Sequence, residues 1–220
     1  MFTVRIWDFP TRLFHWALAF CVVGLLITGQ LGGNAMVWHF RFGYTVLSLV
    51  LFRIVWGFIG GYWSRWSQMP LHPRTVWAYL NGHAQIEHRA GHNPLGSWSV
   101  VTLLFFLTVQ ASTGLFSDDE IANAGPLSSW VASHWVSAAT SWHKGWGKTV
   151  LITLTLVHLL AIVWYGWRKK QGLVAAMLHG DKTLADPVPP SLDNQRSRAW
   201  ALALWALIGV CVATLVSWGS

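Results

Sequence analysis

Five stretches of the chain stay apolar for the roughly 20 residues that a membrane-crossing helix requires. They run from about Leu13 to Leu31, Val37 to Ile59, within Ala90 to Ser117, Trp142 to Trp167 and Ala199 to Trp218. The third contains no Asp, Glu, Lys or Arg, and the fourth confines its charges to Lys144 and Lys148 near its start. A shorter amphipathic stretch, Arg74 to Leu80, is expected to lie on the membrane surface. Asp186–Ser197, with Pro187, Pro189 and Pro190, reads as a linker to the fifth helix. The division predicted is a helical core over residues 1–183, a linker over 184–198 and an additional C-terminal helix over 199–220. Arg5, Asp8 and Arg12 precede the first apolar run and no A-x-A site follows it, so that run is expected to be an uncleaved anchor. The chain shows no internal repeat.

Composition agrees with the pattern. Of 220 residues, 54% are hydrophobic and only 10% are charged, against about 25% charged in an ordinary soluble domain. A soluble enzyme, a disordered chain and a collagen-like chain are thereby excluded. Trp38, Trp63, Trp66, Trp98, Trp142 and Trp167 fall near predicted helix ends, as interfacial anchors do.

The net charge of +7 would suggest nucleic acid in a soluble protein, but here it sorts by topology. With the N-terminus inside, Arg5, Arg12, Arg65, Arg74, Arg89, Arg168, Lys169, Lys170, Lys182, Arg196 and Arg198 share the cytoplasmic side. The outer side keeps Arg41, Lys144 and Lys148, together with the acidic Asp118, Asp119 and Glu120. A cytoplasmic N-terminus and a periplasmic C-terminus follow, and nucleic-acid binding has no separate support.

The candidate chemistry lies in histidines. Ionisable groups within apolar spans are costly and mark function, and His15, His39, His143 and His158 fall in or at the ends of spans. Following the chain in and out puts His39 and His143 at the outer level and His15 and His158 at the inner level. His158 lies about 22 Å beyond His143 and about 60° round a continuous helix, so both can face one interior. Two facing imidazoles within apolar helices are what bis-histidine ligation of a b-type haem requires. The expectation is two non-covalent b haems, paired His39/His143 and His15/His158. Arg53 falls about 21 Å along the second helix from His39, near the inner level, and no carboxylate of that helix can serve it; a haem propionate is its expected partner. Arg41, Lys144 and Lys148 are candidates for the outer propionates, or snorkelling residues.

The other histidines promise less. His88 and His92 have i,i+4 spacing, but Gly91, Asn93 and Pro94 argue for a loop or capping role. His72, His83, His134 and His179 read as solvated. Cys21 and Cys211 lie in apolar runs with neither CxxC nor CxxCH, which excludes covalent haem. GxSxG, HExxH and P-loop motifs are missing, and no catalytic residue is assigned.

Several segments resemble the prokaryotic cytochrome b561 family, which includes the cytochrome b subunits of nickel–iron hydrogenases. They are "VRIWDFPTRLFHW" with His15, "GHNPLGSWSVV", "STGLFSDD", "WHKGWGK" and "LVHLLAIVWY" with His143 and His158, and "GLVAAMLHGDK". Together they cover roughly residues 2–183. The resemblance implies an all-α membrane protein, a four-helix bundle holding two b haems, here with a fifth helix outside the shared core. It implies family ligation at His15, His39, His143 and His158. The implied role is electron transfer across a bacterial cytoplasmic membrane, between quinone or quinol and a c-type cytochrome or hydrogenase. Membrane lipid is the expected surround, and a homo-oligomer is left open. Two alternatives are a superoxide or small-molecule oxidoreductase feeding quinone, and a haem-free anchor of a redox complex.

Overall fold

The computed structural model describes residues 1–83 and 90–219; His88 and Arg89 lie outside these. The chain runs β1 (Phe2–Arg5), α1 (Phe9–Leu31), α2 (Met36–Ile59), α3 (Pro73–Leu80), α4 (Pro94–Phe116), α5 (Ser133–Lys144), α6 (Trp146–Arg168), α7 (Leu173–His179), β2 (Asp181–Leu184) and α8 (Gln195–Gly219). Five helical segments are long and apolar enough to cross a membrane: α1, α2 with the turn before it, α4, α5 with α6, and α8. Lipid-facing side chains need no polar cover, and Phe20, Phe58, Phe105, Leu160 and Leu207 are accordingly exposed.

Two differences from the sequence reading matter. The fourth apolar run is not one helix. α5 ends at Lys144, and Gly145 adopts φ −103°, ψ −104° before α6 begins. The rise of about 22 Å and the rotation of about 60° between His143 and His158 both assumed an unbroken helix, so neither carries over as counted. The second difference is a two-stranded antiparallel sheet, β1 with β2, that pairs Phe2 with Leu184 and Arg5 with Asp181. Four spans separate these strands, so an even number of crossings returns the chain to the side on which it started.

The chain divides into two compact units. The first comprises Met1–Phe14, Arg53–Thr102 and Thr155–Leu202. Its core gathers Ile6, Trp7, Trp63, Ala90 and Ala176. Trp63 is thus a core residue and not an interfacial anchor; its indole N–H donates to Pro189 O at 2.8 Å. The Pro-rich segment is correspondingly well anchored. Ser191 Oγ donates to Ile6 O at 2.6 Å, and Ser191 N donates to Arg5 O at 2.7 Å. Arg5 and Arg198 both form ion pairs with the buried Asp193, at 2.7 and 2.9 Å. Burial alone would push the Asp193 carboxyl up, but the Arg198 hydrogen bond and the nearby cations hold it below its ordinary value.

The second unit comprises His15–Phe52, Leu103–Leu154 and Ala203–Ser220. Val50 and Phe52 are fully buried, and Phe52 packs on Trp205 with ring centres 4.7 Å apart. α1 and α2 approach closely at Gly24, where a Cβ would lie 2.6 Å from the Phe42 ring.

Candidate metal-binding site

His39 stands in the first turn of α2 and His143 in the last turn of α5. Their rings face one another in the second unit, with centres 6.1 Å apart and planes crossed at 85°. Metal–imidazole bonds of about 2.0–2.1 Å on both sides of one ion, extended by the half-width of each ring, give about 6 Å between ring centres. The observed spacing therefore suits a single ion between the two.

The hydrogen bonds select the right tautomer. His39 Nδ1 lies 3.2 Å from Leu25 O, and His143 Nδ1 lies 2.9 Å from Gln110 O. A carbonyl only accepts, so each Nδ1 carries the proton and donates. Each Nε2 is left with a lone pair, which is the form that binds a metal. Glycines make the room. A Cβ on Gly29 would sit 3.1 Å from His39 Cε1, and one on Gly114 would sit 2.9 Å from His143 Cε1.

Among the described residues no group of three or more His, Cys, Asp or Glu side chains could enclose an ion. Two axial imidazoles without further protein ligands suit an ion whose other positions a macrocycle fills, as in a bis-histidine b haem. The donor set, the tautomers and the apolar surround all fit that group.

The remaining sequence candidates are placed as follows. His15 is half-buried in α1, its ring edge-on to Trp16 at 5.2 Å, and it belongs to the second unit. His158 is half-buried in α6 and belongs to the first. Arg41 is exposed and lies over the Trp38 ring at 4.9 Å. Lys144 and Lys148 are exposed. Arg53 is 2% exposed, stacks on Trp66 at 4.4 Å, and its Nη1 has no hydrogen-bond partner among the described residues. Of the weaker histidines, His72 caps α3 by accepting from Arg74 N at 3.1 Å, and His92 packs against Trp7.

Sequence reasoning missed Asp8 and Gln110. Asp8 is fully buried and caps α1. Its Oδ1 accepts from Thr11 N at 2.8 Å and Trp56 Nε1 at 3.2 Å; its Oδ2 accepts from Gly61 N at 3.1 Å and Ser64 Oγ at 2.6 Å. The field of this carboxylate reaches Arg53, although no ion pair joins them among the described residues. The missing countercharge inferred for Arg53 is thus partly supplied within the chain. The available signal was Asp just before an apolar run, an N-cap pattern. For Gln110 it was a lone amide in the middle of a span.

A helical, multi-pass membrane protein with a paired-imidazole site of this kind belongs to the class of b-type cytochromes. Residues 6–180 match the profile of the prokaryotic cytochrome b561 family, and the chain belongs to that family. Curated relatives bear the description "Probable Ni/Fe-hydrogenase B-type cytochrome subunit". The one from Bradyrhizobium diazoefficiens is 26% identical, over 84% of this chain and 87% of its own. That from Rhizobium leguminosarum bv. viciae is 23% identical, over 84% and 90%. That from Cupriavidus necator is 25% identical, over 82% and 87%. No solved structure gives a significant match. Membership makes this chain a membrane electron-transfer protein for which b haem is the implied cofactor.

Proposed function

We propose that this chain relays electrons across a bacterial cytoplasmic membrane between the quinone pool and a redox partner on the outer face. The names of its relatives favour a hydrogenase as that partner over a c-type cytochrome. His39 and His143 would hold one b haem at the outer level. His15 and His158 would hold a second at the inner level, a pairing that rests on their depths along the sequence. Bound b haem supplies a reversible one-electron couple.

The chain's own residues would do the rest. Leu25 O and Gln110 O orient the two outer imidazoles and raise their basicity through the Nδ1 protons. Apolar helices exclude water and lower the local dielectric. Arg53, whose buried Nη1 has no hydrogen-bond partner among the described residues, would meet a propionate of the inner haem. Arg41 and Lys144 would meet those of the outer haem. The distribution of Lys and Arg supports a cytoplasmic N-terminus and a periplasmic C-terminus.

The observation that carries this reading is the pair of facing imidazoles 6.1 Å apart, each holding its Nδ1 proton against a backbone carbonyl. Haem content and a redox titration of the purified protein test it. Two b haems per chain with two potentials are expected. His143→Ala should lose one haem and keep the other, and His158→Ala should lose the complementary one. Two haems retained in either variant would overturn the pairing.

A further inference from the structure

His143 sits at an awkward point of the backbone. It is the penultimate residue of α5, so its carbonyl is among the terminal groups that a helix leaves unpaired. The Ser141 carbonyl in the same turn is satisfied by Gly145 N at 3.0 Å. The His143 carbonyl is satisfied from another helix: Gln110 Nε2 of α4 donates to it at 2.8 Å. The backbone carbonyl of the same Gln110 accepts the proton of the His143 ring at 2.9 Å. One residue thus grips the histidine twice, by its main chain and by its imidazole.

The amide orientation follows from chemistry. The His143 carbonyl only accepts, so Nε2 must face it and Oε1 must point away. Oε1 then lies against Gly147, in the space where a Cβ on that residue would be, and has no hydrogen-bond partner among the described residues. Burying an oxygen without a hydrogen-bond partner is unfavourable, and a side chain that merely filled space would avoid that cost; this one bears it while holding His143.

We propose that Gln110 is the positioning residue of His143, setting the orientation of the imidazole, and that Gly147 is a glycine because the Gln110 amide, together with the Trp142 indole, occupies the place of its Cβ. This inference rests on the reading of His143 as an axial haem ligand. An outer-shell partner of a ligating histidine typically contributes about 10- to 100-fold in metal-site affinity or activity. The ring keeps its bond to the Gln110 backbone when the side chain is removed, so the haem should be loosened rather than lost.

The test uses the purified, haem-loaded protein. In Gln110→Ala, one of the two midpoint potentials and one of the two low-spin electron-paramagnetic-resonance signals should shift while the others stay. Transfer of one haem to a scavenging apoprotein should quicken about 10-fold or more. Gly147→Ala should disturb the same haem, because its Cβ displaces the amide. Gly147→Ala added to Gln110→Ala should then cost less than the sum of the two, since the amide is gone while the Trp142 indole, whose Nε1 lies 2.6 Å from that Cβ, remains. Unmoved potentials and signals in Gln110→Ala, or additive effects in the double variant, would overturn the inference. If Gln110→Ala does not fold, Gly147→Ala alone reads the same haem, and an unshifted signal there has the same force. His143→Ala separates the two levels: two haems retained means that the ligand reading has failed. One haem lost alongside an unperturbed Gln110→Ala means that only the positioning role has failed.

Discussion

Replacing Asp8 with Ala should unravel the start of α1 more than any loss of apolar contact there. The carboxylate is fully buried and accepts from Thr11 N, Trp56 Nε1, Gly61 N and Ser64 Oγ. Thr11 Oγ1 extends the chain by donating to Ser64 Oγ at 2.8 Å. Loss of an N-cap costs about 1 kcal/mol. Beyond that cap bond from Thr11 N, the Gly61 backbone N–H and the Trp56 indole N–H would lose this acceptor, at about 1–3 kcal/mol each. Arg53 would also lose the anion whose field reaches it. After partial relaxation, the sum is about 3–5 kcal/mol, in the range found when one member of a buried charged set is removed. For a chain of this size that is a fall on the order of 10 °C in melting temperature. Thermal melts in detergent, followed by tryptophan fluorescence and by haem absorbance, measure it. Asp8→Asn keeps the shape and one acceptor oxygen, so it should lose roughly half as much. Arg53→Gln combined with Asp8→Ala should cost less than the sum of the two, because the field couples them. A melting temperature for Asp8→Ala within about 2 °C of the parent would refute the reasoning, as would an Asn variant as damaged as the Ala one.

Two further outcomes follow from other sites. Burial of Lys182 lowers its pKa from 10.5 to about 8, while its ammonium donates to Ala90 O at 2.7 Å. Between those pH values the unfolded chain binds a proton that the folded chain does not, so this group's contribution to stability rises with pH from about 8 upward. The span is about 1–3 kcal/mol, and subtracting the pH profile of Lys182→Met from that of the parent should reveal it; parallel profiles would rule it out. Gly114→Ala should place a methyl group 2.9 Å from His143 Cε1 and lower haem content at the outer level, at an overpacking cost of about 1–3 kcal/mol. An unchanged ratio of haem to protein absorbance would count against the close fit.

The spans were legible because lipid imposes a one-dimensional rule. A helix must be apolar over its whole length, and each of the five predicted runs coincides with a candidate span, the fourth being divided between two helices at Gly145. The histidines were legible for the complementary reason, since an imidazole in such a run stands out against its neighbours. Rise and rotation can be counted along the sequence only while the backbone stays helical, and the single residue Gly145 is enough to break both counts between His143 and His158. A glycine in "WHKGWGK" does not announce which of several backbone paths it will take.

The groups that hold the histidines escaped the sequence reading because they act through atoms that every residue has. Leu25 and Gln110 orient the imidazoles with backbone carbonyls, and no side-chain pattern marks a carbonyl for that use. Gly29 and Gly114 contribute by lacking a Cβ, which has meaning only once a ring from another helix is beside them. The same holds for the antiparallel pairing of β1 with β2 and for Ser191 on Ile6, which join residues more than 170 positions apart. Chemistry in a membrane protein is therefore conspicuous in sequence where it violates the solvent's rule, as His39, His143 and Arg53 do. It is inconspicuous where a tuning group obeys that rule. This is why the proposed function stands on side chains that the sequence displays, while its finer adjustment falls to Gln110 and to the glycines around it.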